Sequence, residues 1–141
     1  MTKEDKQLLL KDLCARLPYG VKAQVCGWDE EKGEVEVPLK VYSINTDGYL
    51  SFEYNHYSVE TVYVEDCRLY LRPMSSMTEE ETEEYRRLQS DIWKPCGTMY
   101  YDTADSIDWL NAHHFDYHYV SGRGYLIDAG LALEAPEGMY D

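Results

Sequence analysis

The residue types best suited to chemistry stand in one run, His113-His114-Phe115-Asp116-Tyr117-His118. Imidazole and carboxylate are the ordinary ligands of zinc and related ions, so His113, His114 and Asp116 are the candidate metal ligands. A complete site needs a further donor such as Cys96, His56 or Asp102, and the spacing matches no established zinc pattern. On a helix His114 and His118 share a face only if the helix runs on through Phe115 to Tyr117, and His113 points about 100° away from its neighbour. The preferred reading is therefore histidines at a helix C-terminus interacting with its last carbonyls, with no metal. A nucleophilic Cys-His pair requires Cys96 or Cys67 to meet one of these histidines in space, with a third group orienting the base. No GxSxG element, phosphate-binding loop, dinucleotide fingerprint or HExxH is present, so no cofactor is expected and no catalytic residue is assigned. The acidic run at 79–84 is a solvated helix face, and Gly122-Arg123-Gly124 is a flexible loop rather than an anion site.

Tyrosine is the second unusual feature, with 14 against two phenylalanines. Tyr42, Tyr49, Tyr54, Tyr57, Tyr63 and Tyr70 fall within the predicted β region. Tyrosine buries a ring while its hydroxyl stays wet, which suits cross-strand packing first and a binding surface second. Tyr54, His56 and Tyr57 fall in a predicted loop and are the protein-binding candidates.

Both sets depend on the elements that carry them. With 141 residues, one domain is expected, and 44% hydrophobic residues suffice for a core. The net charge of −14 is uneven: +2 over residues 1–28, −8 over 29–66, −1 over 67–101 and −7 over 102–141. Such a surface repels phosphate and anionic lipid, which excludes nucleic-acid or membrane binding through a broad basic patch and favours a basic partner. No apolar run is long enough to span a bilayer and no leader pattern opens the chain, so a cytoplasmic location is expected. Cys14, Cys26, Cys67 and Cys96 are scattered without a CxxC, which reads as reduced and mostly buried thiols. The sequence leaves the oligomeric state open.

The predicted fold is α+β: a helix at 2–17, a β region at 21–72 and a helical region at 78–135 in one domain over 1–141. Thr2 and Asp5 form a capping pattern ahead of Leu9, Leu10, Leu13, Cys14 and Leu17, and Pro18 and Gly20 end the helix. Alternation then places Val21, Ala23 and Val25 on one face, and Val35, Val37, Leu39 and Val41 on another strand where Pro38 marks an edge or bulge. Asn45-Thr46-Asp47-Gly48 is the turn of a hairpin into 49–54, and strands follow at 58–64 and 67–71. Four or five short antiparallel strands fit a small, strongly bent sheet, in its most closed form an SH3-like partial barrel. Thr78 and Glu81 open a second helix, with Tyr85, Leu88 and Ile92 as its apolar face. Residues 93–102 show no regular period and read as a connection. A third helix starts at Asp102 or Thr103, with Ile107, Leu110 and His114 on one stripe and His113 and His114 in its last turn. A short helical turn closed by Gly130 then folds Leu131 and Leu133 back onto apolar surface.

The stretches Leu71-Arg-Pro-Met-Ser-Ser-Met-Thr-Glu-Glu-Glu and Asp108-Trp-Leu-Asn-Ala-His-His-Phe-Asp-Tyr, with the tail Gly130-Leu-Ala-Leu-Glu-Ala-Pro-Glu-Gly-Met-Tyr, resemble small uncharacterised proteins of gut anaerobic bacteria and their phages and mobile elements. The resemblance implies a genomic setting and no mechanism. The function expected is a non-enzymatic protein-binding module able to modulate a host protein; the alternative is a small metal-dependent or Cys/His hydrolase using His113, His114 and Asp116.

Overall fold

The N-terminal helix α1 (Lys3–Arg16) begins where expected, because Thr2 accepts from the Asp5 amide and the Asp5 carboxylate accepts from the Thr2 amide. Two amides that the helix cannot satisfy itself are thus paired. Its inward face is Leu9, Asp12, Leu13 and Arg16, at spacings of three and four. Pro18 falls in a single 3₁₀ turn, and Gly20 ends it at φ 73°, a left-handed conformation that a Cβ would disfavour. The computed structural model describes residues 2–53, 62–118 and 124–141.

The β region follows the predicted alternation. Strands β1 (Lys22–Asp29) and β2 (Gly33–Ile44) pair antiparallel from Lys22↔Lys40 to Asp29↔Gly33, and β2 pairs with β3 (Tyr49–Glu53) over Lys40–Ile44 with a bulge between Val41 and Ser43. Val41 donates its amide to Val21 on the β1 side, so by alternation the Pro38 nitrogen faces away from β1 and its missing amide costs no β1–β2 ladder bond. Asn45 Oδ1 accepts from the Asp47 and Tyr49 amides and Gly48 takes φ 86°, which closes the hairpin. Strands β4 (Val62–Tyr63) and β5 (Arg68–Pro73) extend the antiparallel order to β4-β3-β2-β1-β5.

The helical region departs from expectation. The second helix α2 (Glu79–Leu88) is capped by Thr78 and Glu81 as predicted. It stops at Leu88, and residues 90–101 form a hairpin of β6 (Ser90–Lys94) and β7 (Gly97–Tyr101) instead of a helix end and a connection. Ile92 therefore belongs to a strand and is exposed, not part of the α2 face. The hairpin buries neither face, so no alternation of apolar and polar residues marks it in the sequence.

Helix α3 (Ala104–Ala112) starts at Thr103, is followed by β8 (Phe115–Asp116), and the chain ends with α4 (Tyr125–Asp128) and β9 (Ala132–Glu134). Both β8 and β9 pair with β5 in parallel, which makes the sheet mixed and seven-stranded rather than a wholly antiparallel set of four or five. Among the described residues the pairing runs as an open path from β4 to β8, with β9 beside β5, and no pairing closes it into a barrel. Parallel pairing needs a crossover, and strands of two or three residues carry no pattern of their own. The turn after α4 is as expected: Gly130 at φ 74° donates to the Ile127 carbonyl and Leu131 to that of Leu126.

The main core gathers Leu9 and Leu13 of α1, Val21, Ala23, Val25, Leu39, Val41, Leu50, Phe52, Leu69 and Leu71 of the sheet region, and Leu126, Ile127 and Ala132 from the C-terminal segment. Trp109, Leu110 and Phe115 form a second cluster, flanked by Met74, Met77, Tyr85 and Leu88. Of the cysteines only Cys67 is buried; Cys14, Cys26 and Cys96 are exposed, contrary to the expectation of mostly buried thiols. Cys14 sits beside the apolar stripe of α1 and not on it, since Asp12 and Arg16 take the places that complete the stripe.

Candidate functional site: a buried charge cluster and the cleft beside it

The His113–His118 run does not continue as a helix. Helix α3 ends at Ala112, His113 caps it, and His114 turns to φ 63°, an uncommon conformation for a residue with a Cβ. Each of its residues is thereby sent to a different neighbour. His113 Nδ1 lies 2.9 Å from the Trp109 carbonyl and its ring stacks on the Trp109 indole at 4.0 Å. This is the interaction with a terminal helix carbonyl that the sequence suggested. His114 stacks on Tyr140 with ring centroids 3.6 Å apart. Phe115 enters the second core cluster beneath the Arg72 guanidinium, 4.2 Å from its ring centroid. Asp116 Oδ2 accepts from the Ile127 amide at 2.8 Å, and His118 reaches α1. His113, His114 and Asp116 thus do not converge on one point, and the helical face that would join His114 to His118 is absent. Among the described residues no group of three or more histidine, cysteine, aspartate or glutamate side chains is placed to hold a metal ion. Among the described residues none of these histidines is hydrogen-bonded to a serine or cysteine. Tyr54, His56 and Tyr57 lie outside the described residues.

The structure instead assembles a cluster that the sequence reading missed. Arg16 is 0% exposed and Asp12 1%. Arg16 Nε donates to Asp12 Oδ2 at 2.7 Å, and Nη2 donates to Asp12 Oδ1 at 3.0 Å and to the Phe115 carbonyl at 2.6 Å. His118 Nε2 completes the set at 2.8 Å from Asp12 Oδ1. Burial alone raises the Asp12 pKa, but the His118 hydrogen bond and the Arg16 guanidinium outweigh it, and the net result lies below the ordinary carboxylate value. An ionised Asp12 accepts only, so the His118 proton sits on Nε2. Asp116, also fully buried, goes the other way: burial dominates the single amide bond from Ile127 and its pKa is raised. A signal for the pair was present, because Asp12 and Arg16 occupy the stripe of Leu9 and Leu13 at i+3 and i+7 from Leu9, where an unpaired charge would be prohibitive.

Beside this cluster lies a cleft of about 740 Å³, walled by the end of β5, the start of α2, the end of α3 and residues 134–141. His114 lines it, 6% exposed, with Arg72, Glu80, Glu137 and Tyr140. Burial, then the charges of Arg16, Arg72 and Lys22 nearby, hold the His114 pKa down to about 4, so the ring is neutral at pH 7. Arg72 donates from both terminal nitrogens to Glu81 at 2.8 Å, and these bonds bring the Glu81 pKa down to about 2. Tyr140 anchors the wall: its hydroxyl accepts from the Lys22 amide at 3.0 Å and donates to the Tyr70 carbonyl at 2.6 Å. The last direct β1–β5 partners in this direction are Ala23↔Leu69, so the hydroxyl spans the gap at the next position, where the two strands part. Burial pushes the Tyr140 pKa up to about 12, and nothing in the sequence pattern singled this residue out.

The β6–β7 hairpin is a separate feature of the surface. Ile92 and Met99 face each other across it with Tyr101 on the same side, while Trp93 and Tyr100 occupy the other. All five are exposed, Trp93 by 76%, and the Arg86 guanidinium lies over the Tyr100 ring at 5.2 Å. No family model matches the chain, and neither a curated protein nor a solved structure matches it.

Proposed function

We propose that this chain is a non-enzymatic, cytoplasmic protein-binding module of phage or mobile-element type, able to modulate a host protein, and that the β6–β7 hairpin is its docking element. The observation that carries this reading is the gathering of Ile92, Trp93, Met99, Tyr100 and Tyr101, all exposed, on one small hairpin. Large apolar side chains grouped on a surface usually mark an interaction site, and Trp and Tyr are the residues that most often dominate one. The body around them carries −14, so the fitting partner presents an apolar centre with a basic rim. Among the described residues β6 and β7 pair only with each other, so the hairpin also offers strand edges to that partner.

The test replaces Trp93 and Met99 by serine and compares photo-crosslinking to host proteins with that of the parent chain at low and high salt. One distinct partner should be captured by the parent chain, lost by the double variant and weakened at high salt. Stability should change by less than about 0.5 kcal/mol, because both side chains are exposed. Equal capture by both chains would remove the hairpin from the mechanism.

A further inference from the structure

We propose that the outer edge of β7 receives an extended strand from the partner, antiparallel to β7, with a lysine or arginine where that strand begins beside Tyr101. This deepens the protein-binding reading and rests on it. A two-stranded hairpin alone in water is marginally stable, and is normally completed by a third strand or by packing one face on a core. Here β6 and β7 lie exposed along nearly their whole length, so the second route is not taken. Lys94↔Gly97 closes the hairpin around the two-residue loop Pro95-Cys96. Bonded and non-bonded pairs alternate from that closing pair, so the N–H and C=O groups of Thr98 and Tyr100 point away from β6. The two edges differ in how they are guarded. Strand β6 carries Asp91 and Lys94 and runs into Pro95, whereas β7, Gly97-Thr-Met-Tyr-Tyr, has neither a charge nor a proline.

Charge sets the direction of the incoming strand. The acidic C-terminal quarter of the chain starts where β7 ends, with Asp102 and Asp105 both exposed. An antiparallel strand on β7 begins at this end, so its first residues meet these carboxylates and its later ones a neutral edge. Among the described residues Tyr85, Gln89 and Ser106 all donate to Asp102 through Oδ1, which holds the carboxylate and leaves Oδ2 for the incoming cation. Arg86 lies over the Tyr100 ring, on the opposite face of the hairpin from Tyr101, and Arg87 is paired with Glu83 at 3.7 Å. The exposed Tyr101 ring therefore offers the cation a π face on the side away from Arg86. Met99 follows on that side, so the alternate residues of the strand that lie there are apolar.

The experiment pans a phage-displayed random decapeptide library against the full chain and titrates the selected peptide into isotope-labelled protein. Selected sequences should carry Lys or Arg near the amino end, then alternate β-branched or aromatic residues with polar ones, without proline. The peptide should slow hydrogen exchange at the Thr98 and Tyr100 amides. Thr98→Pro, which deletes an outward N–H and no β6 bond, should weaken it at least about tenfold, and Thr98→Ala, which keeps the amide, less than about threefold. Asp102→Asn/Asp105→Asn should weaken it about fivefold, and Glu30→Gln/Glu31→Gln, the same charge removed from the exposed β1–β2 turn, less than about twofold. No enrichment, bases at the carboxyl end, apolar residues at helical spacing, or exchange unchanged at Thr98 and Tyr100 would overturn the edge assignment. If that happens while the Trp93/Met99 variant still loses its captured partner, the added strand falls and the hairpin reading stands.

Discussion

Replacing Asp12 by alanine is the perturbation to which this fold should be most sensitive. The carboxylate receives two bonds from Arg16 and one from His118. Without it, a guanidinium that is 0% exposed keeps, among the described residues, a single acceptor, the Phe115 carbonyl at 2.6 Å, and its Nη1 is unpartnered already. Removing one partner of a buried ion pair costs about 3–5 kcal/mol, a large part of the roughly 5–15 kcal/mol that stabilises a typical domain. The comparison that isolates charge from packing is Asp12→Leu/Arg16→Met, which fills similar volume without leaving a charge stranded and should stay within about 1 kcal/mol of the parent or exceed it. Urea unfolding followed by tryptophan fluorescence near pH 7 measures all three chains. The loss in Asp12→Ala should persist at high salt, since a buried pair is poorly screened. Because the folded pKa of Asp12 lies below the unfolded value of 3.8, its contribution is complete above that value and fades as pH falls from there through the folded pKa. A loss under about 1 kcal/mol for Asp12→Ala, or an equal loss in the double variant, would refute the argument that an uncompensated buried charge is the cause.

Asp116→Asn should behave in the opposite sense. The amide still accepts from Ile127 but carries no charge, so it removes an ionisation penalty that the parent acquires as pH rises from 3.8 through the raised folded pKa; the variant should be as stable as the parent or more so near pH 7, and the difference should vanish below 3.8 in paired urea titrations. Gly124→Ala should cost about 2–4 kcal/mol by the same assay, because φ is 101° and a Cβ would stand 2.6 Å from Asp116 Oδ2. Tyr140→Phe leaves the Lys22 amide and the Tyr70 carbonyl without their bridge and should cost about 1–3 kcal/mol, with faster hydrogen exchange at Lys22 as its local signature.

What could be read in advance was local. Thr2 with Asp5 and Thr78 with Glu81 define helix starts through atoms three residues apart. Gly48 and Gly130 define turns through their own φ. The buried alternation of Val21, Ala23 and Val25 survives because β1 has one face on the core. The β6–β7 hairpin escaped because it has no buried face, and β8 and β9 escaped because two- and three-residue strands are specified by their partner β5 rather than by their own composition.

The site divides in the same way. His113 on its helix carbonyl is a four-residue relation, and the sequence alone was enough to anticipate it. Asp12 and Arg16 were visible as charges on an apolar stripe, but His118 on Asp12 is a contact across 106 residues and Tyr140 at the β1–β5 gap spans 118 from Lys22. Helix caps, turns and strand faces depend on short-range sterics and hydrogen bonds, so composition and spacing determined them together with the acidic character of the surface. Which histidine lines a cleft, which buried carboxylate has its pKa lowered and which has it raised, and which arginine is buried against a carboxylate depend on burial and on partners brought from far along the chain, and these only the tertiary structure decided.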